Sequence, residues 1–149
     1  MVEIGTSTDV IYDIAIQTDG KIVCAGITYD GLNVDVAVIR LNSDGSLDNT
    51  FSFDGKVITT IEDDDLVRAV TIGQNGSITV AGFSQVSIGD HLGILVRYNS
   101  DGTLDDSFGV NGVVSKDFGT GDDELFDLVI DGSGKILACG RTGSGSASD

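Results

Sequence analysis

The chain repeats itself, and that repetition limits what it can fold into more than any other feature. The segment LNSDGSLDNTFSFDGKV from Leu41 returns as YNSDGTLDDSFGVNGVV from Tyr98, 57 residues later. The segment DVIYDIAIQTDGKIVCAG from Asp9 returns from Asp65 as DLVRAVTIGQNGSITVAG and from Asp123 as DELFDLVIDGSGKILACG, at offsets of 56 and 58. A period of about 57 residues suits a multi-stranded unit rather than the short coil of a solenoid. The expected units are 9–64, 65–122 and a partial 123–149, with residues 1–8 aligning with the last strand of a preceding unit.

Within a unit, side-chain alternation with a period of two marks the first strand: Ile14 and Ile16, then Val70 and Ile72, then Leu128 and Ile130. A two-residue turn follows at Asp19-Gly20, Asn75-Gly76 and Ser133-Gly134, the dipeptides of a tight hairpin with positive φ at its centre. The second strand covers 21–25, 77–81 and 135–139 and is expected to end at Gly26, Gly82 and Gly140. The third strand, VDVAVIRL from Val34 and HLGILVRY from His91, is nearly all apolar, which predicts burial on both faces. A short fourth strand lies near 57–61 and 113–117. No stretch has apolar residues at helical spacing. The expectation is an all-β chain of tandem four-stranded antiparallel sheets.

Composition agrees. Of 24 acidic residues 21 are Asp, Gly numbers 21 and Pro is absent, a balance that favours turns over long helices. A formal charge of -16 disfavours a phosphate backbone or an anionic membrane surface, so nucleic acid is excluded as a partner. No apolar run reaches the ~20 residues that span a bilayer, which argues against membrane insertion. The N-terminus, MVEIGTSTDV, lacks the pattern of a signal peptide. Cys24 and Cys139 sit in apolar runs, where a thiol serves as a small hydrophobe.

Repetition also sorts the residues that could carry chemistry. A side chain that recurs in every unit serves the scaffold, whereas a singular site is built from residues that break the pattern. Arg40 with Arg97 and Asp13 with Asp127 recur, and are read as ion pairs or hydrogen bonds knitting strands within a unit. Phe51 and Phe108 recur as plugs that pin the long loop to the core. The loops 42–48 and 99–105 carry oxygen donors around a glycine turn: Asn42, Asp44 and Asp48, then Asn99, Asp101 and Asp105. Two readings stand for them, a calcium site and Asx turns in which Asn and Asp bond to their own backbone. The calcium reading lacks a closing bidentate Glu. The carboxylates 63–65 and 122–123 read as a solvated loop face, or as a cation site that relieves their repulsion. His91, the single histidine, reads as a solvated residue without a nucleophile or metal partner. No catalytic residue and no required cofactor emerge.

The combination of DGKI, R[LY]NSDG[ST]LD and DG[KV]V at fixed spacing resembles the delta-60 repeat, a tandem bacterial repeat. The resemblance covers essentially the whole chain and implies propeller-like blades in large surface-associated or secreted proteins, hence an extracellular or cell-surface location. It carries no catalytic residues to transfer. Two and a half units cannot close a ring of ~4 to 8 blades. The chain is therefore expected to be an excerpt of a longer array, with an open stack or an association of several chains as alternatives. The leading expectation is a non-enzymatic segment presenting loops for protein or carbohydrate contact. The rivals are part of a propeller polysaccharide hydrolase or lyase, and a homo-oligomer that self-assembles through exposed edge strands.

Overall fold

The computed structural model describes residues 4, 5, 8–119 and 121–143. Among the described residues, ten strands follow one another with no helix between them: β1 (Asp9–Ile16), β2 (Ile22–Tyr29), β3 (Val34–Leu41), β4 (Lys56–Thr59), β5 (Asp64–Ile72), β6 (Ile78–Ser87), β7 (Asp90–Tyr98), β8 (Val113–Lys116), β9 (Glu124–Ile130) and β10 (Ile136–Arg141). They form three antiparallel sheets in sequence order, β1-β2-β3-β4, β5-β6-β7-β8 and β9-β10. The sheets stack face to face, β5 lying over β1, β2 and β3, and β9 over β5, β6 and β7. The arrangement is open rather than closed. Among the described residues, no helix is long and apolar enough to cross a membrane.

The near-continuous apolar character of the inner strands follows from this stacking. Val23, Ala25, Val36 and Val38 of the first sheet meet Val67, Val70, Ile78, Val80, Ile94 and Val96 of the second, around the buried rings of Phe51 and Tyr98. The alternate residues of the same strands point the other way: Cys24, Ala37 and Ile39 form a separate cluster with Ile4. Ala69 and Ala81 of the second sheet pack on Leu128 of the third. Of the expected strand at residues 1–8, only Ile4, Gly5 and Thr8 lie within the described residues, and of the last loop segment only Thr142 and Gly143.

Three local expectations are corrected. The recurrent glycine does not end the second strand, which runs on to Tyr29 and Ser87. It sits instead opposite a β-bulge of the first strand, between Ile11 and Asp13, Val67 and Ala69, and Leu125 and Asp127. There the facing strand presses so close that a Cβ on Gly26, Gly82 or Gly140 would lie 1.9, 1.8 or 1.9 Å from a backbone carbonyl oxygen. The hairpin turn is longer than two residues. Gly20 N–H donates to Gln17 O and Gln17 N–H to Lys21 O, and Gly20 has φ +84° while Asp19 has none. This is a turn closed by a glycine bulge, the arrangement of three-residue hairpin loops. Finally, Cys24 is buried but Cys139 is exposed. Its counterparts Ala25 and Ala81 are covered by the following sheet, and among the described residues nothing covers β10 in the same way.

Candidate functional site

The recurrent polar residues form one scaffold node, built twice. Arg40 Nε donates to Asp48 Oδ2 at 2.6 Å, and Arg97 Nε to Asp105 Oδ2 at 2.8 Å. The other oxygen of each carboxylate caps the next turn, accepting from Thr50 N–H and Oγ1 in the first copy and from Ser107 N–H and Oγ in the second. Each guanidinium covers a ring, Arg40 over Phe51 at 4.7 Å and Arg97 over Phe108 at 4.2 Å. Phe51 is fully buried, whereas Phe108 is only half-buried. Lys21 adds a second cation to Asp48 at 2.9 Å. Burial by itself would raise the Asp48 carboxyl, but the hydrogen bonds from Thr50, Lys21 and Arg40 outweigh it and hold the group well below the usual carboxylate range.

The six residues singled out for calcium are thereby located. Asp44 and Asp101 each accept from a hydroxyl and a backbone N–H two residues on, at Ser46 and Thr103, and those bonds lower both carboxyls. Asn42 and Asn99 donate across their loops to Ser46 and Leu47, and to Thr103 and Leu104. Asp48 and Asp105 turn to the arginines instead. These bonds are the Asx-turn geometry, with Gly45 and Gly102 at φ +85° and +93°.

Of the recurrent aspartates of the first strand, Asp127 accepts from the neighbouring Leu128 N–H, and Asp13 differs from expectation. Asp13 Oδ2 accepts from Val70 N–H at 2.8 Å, so it joins two sheets rather than strands of one. Asp65 and Asp123 are fully buried, not solvated. Each clamps the chain entering its strand: Asp65 accepts from the Ile61 and Glu62 N–H groups, Asp123 from that of Phe118. Burial raises the Asp65 carboxyl despite its bonds from Ser84, Ile61 and Glu62.

What breaks the pattern gathers in one place. His91, Glu124, Arg68 and Arg141 stand where the first copy carries Val34, Val10, Tyr12 and Ile27, and they gather around Asp122, which recurs as Asp64 in the second copy. The structure brings them together between the second and third sheets. His91 Nδ1 lies 3.3 Å from Asp122 Oδ1 and 3.3 Å from Glu124 Oε1. Arg141 Nη2 donates to Glu124 Oε1 at 2.8 Å and lies 3.8 Å from Asp122 Oδ2, while Arg68 Nη2 lies 3.7 Å from Glu124 Oε2. Glu124, by hydrogen bond and charge, raises the Arg141 guanidinium above its ordinary value. The His91 ring stacks on Phe83 with centroids 4.5 Å apart and 22° between planes. His91 is therefore largely enclosed and partnered, contrary to the solvated reading. Strand register places the cluster: the His91 carbonyl accepts from Asp123 N–H at 2.9 Å, which ties β7 to the start of β9. The signal was present in the sequence, since the chain's one histidine and one of its three glutamates depart from the repeat at positions that adjacent sheets share.

Two clefts flank the hairpin turns at the opposite end of the sheets. One of about 670 Å³ is lined by Gln17, Asp19, Arg40, Thr50, Gln74 and Asp101. Its smaller counterpart, about 300 Å³, lies between Gln74, Asn75, Arg97 and Ser133.

Stacked four-stranded antiparallel sheets, each copy held by the same Arg–Asp node, define a blade-repeat protein of the β-propeller kind. Residues 17–51 and 73–108 each match the family described as domain of unknown function (DUF5122) beta-propeller. This is the delta-60 type of repeat, and these two segments of the chain carry it. No curated protein gives a significant match to the chain.

Proposed function

We propose that the protein is a non-enzymatic interaction module of a bacterial surface or secreted protein, whose blades hold loops in place for protein or carbohydrate contact. The observation that carries this is the repeated exposure of apolar loop tips. Leu32 and Ile88 stand at equivalent ends of the second and third strands of two blades, and Phe53 and Val110 at equivalent points of the long loops. All four are well exposed, Ile88 to 98% and Phe53 to 96%. Isolated exposed apolar residues need no explanation. Tips repeated in register along a rigid stack form a periodic contact surface, and a periodic partner such as a polysaccharide or a repetitive protein suits it. The test is a glycan and peptide array probed with the purified protein, alongside activity assays on polysaccharides. The expected result is binding without turnover, weakened in Leu32→Ser and Ile88→Ser. Turnover would favour the hydrolase or lyase reading, and an absence of binding to either array would defeat the contact role.

A second reading, self-assembly, is favoured by the outer faces of the stack. Ile14 is 59% exposed on the first sheet, whereas its counterparts Val70 and Leu128 are 7% and 5% exposed beneath a neighbouring sheet. On the third sheet Leu137 is exposed in a position that the first two sheets bury with Val23 and Thr79. The two faces are the halves of a contact the chain already makes internally, so a second copy can stack head to tail. Light scattering decides: mass should rise with concentration and fall in Leu137→Ser, and a constant monomeric mass removes the reading.

A further inference from the structure

We propose that His91, Asp122 and Glu124 bind one divalent transition-metal ion of the zinc class, bridging the second and third sheets. Their ligand atoms all lie within 4.8 Å of one another. The two shortest separations, Nδ1 to Asp122 Oδ1 and Nδ1 to Glu124 Oε1, are both 3.3 Å. A charge-assisted N–H···O bond is shorter, about 2.7–2.9 Å. In contrast, two donors held at about 2.0–2.1 Å from one tetrahedral ion stand about 3.3–3.4 Å apart. The two 3.3 Å separations, one of them a long hydrogen bond, thus match donors sharing an ion, and the two carboxylate oxygens, within 4.8 Å of each other, draw together when the ion binds.

Three further observations point the same way. Asp122 Oδ1 is buried and has no hydrogen-bond partner, the state in which a carboxylate oxygen gains most from a cation. The imidazole is held by its stack on Phe83, and the Glu124 side chain is buried, so both enter the site pre-oriented. One imidazole with two carboxylates suits zinc, cobalt or nickel more than calcium, which prefers oxygen alone. Arg141 and Arg68 oppose a cation electrostatically. Arg141 is 41% exposed and lies 3.8 Å from Asp122 Oδ2, so it is free to move off Glu124 Oε1 and hold the outer oxygens of the liganded carboxylates. Water completes the coordination.

The test is isothermal titration of the metal-free protein with Zn²⁺, with Co²⁺ and, separately, with Ca²⁺, together with thermal melts in each ion and in chelator. The expected results are one Zn²⁺ per chain, a higher melting temperature that chelator reverses, and visible ligand-field absorption from bound Co²⁺. His91→Ala and Asp122→Asn should each weaken Zn²⁺ by at least about 10-fold, the loss that even an outer-shell change produces. Arg141→Gln should tighten Zn²⁺ while lowering the melting temperature of the metal-free protein. Asp122 is partly exposed, so Asp122→Asn remains informative if His91→Ala fails to fold. No Zn²⁺ binding, undiminished affinity in either ligand variant, or a response to Ca²⁺ alone would each overturn the proposal.

Discussion

Arg40 and Asp48 are both buried, at 5% and 3% exposure, while their counterparts Arg97 and Asp105 are more open to solvent. The same pair of residue types therefore has different worth in the two copies. Removing one partner of a buried pair leaves an uncompensated charge, which costs about 3–5 kcal/mol, whereas exposed pairs contribute little. Asp48→Asn should thus lower unfolding free energy by about 3 kcal/mol in urea denaturation. Asp105→Asn should cost markedly less, and equal losses would show that burial is not what distinguishes the nodes.

Acid titration at the residue scale separates two aspartates by sign. Asp48 is held low by its hydrogen bonds, so its stabilisation is present above the ordinary carboxylate pKa and is lost as pH falls through its lowered folded value. Asp65 is raised by burial, so its contribution is greatest below the ordinary value and is lost as pH rises through the folded one. The advantage of the wild type over Asp48→Asn should shrink as pH is lowered from 5 toward 2, to a first approximation on the order of the whole effect. Asp65→Asn should gain on the wild type as pH rises from about 4. Melting temperatures recorded across this range check both slopes, and parallel slopes would contradict the assignment.

At the scale of the element, the bulged hairpin is the recurring device. Gly82 faces the Leu66 carbonyl with no room for a Cβ, while Gly132 has nothing within 4 Å of where one would stand. Gly82→Ala must therefore push β5 off β6 or distort the bulge, at a cost of about 3 kcal/mol or more, in the range of severe overpacking. Gly132→Ala should stay within about 0.5 kcal/mol. Denaturant midpoints compare the two directly. The strands, their order and the hairpin partners were legible from alternation and turn dipeptides. The true end of the second strand was not, because glycine is a breaker in a local reading and only the approach of the partner backbone makes it a continuing residue. Likewise Asp13 could not be assigned its bond, since the Val70 N–H that it accepts from is 57 positions away.

Across the whole molecule, polar bonds join blade to blade. Asp13 reaches Val70, and Arg40 Nη1 donates to the Ser100 carbonyl of the next blade. Gly102, with φ +93°, lets the second long loop lie on the Phe51 ring of the first. In a stacked array, stability is a sum of unit and interface terms, so weakening an interface lowers cooperativity before it unfolds a unit. Asp13→Ala should cost about 1–2 kcal/mol for the unsatisfied N–H. Hydrogen exchange should show lost protection at Val70 and its neighbours while β2 and β3 keep theirs, and uniform loss would mean the blades do not separate energetically.

The linear sequence was sufficient for the repeat, the all-β class, the four-strand order and the scaffold character of the recurrent residues, because each rests on period and turn chemistry within one unit. The relation between units was not contained in that local information. Which aspartates are buried, why Cys139 is exposed where Ala25 is covered, and how His91 meets Asp122 and Glu124 all depend on how one sheet lies over the next. Those contacts pair residues about thirty positions apart on different sheets, and only packing of two apolar faces brings them into register.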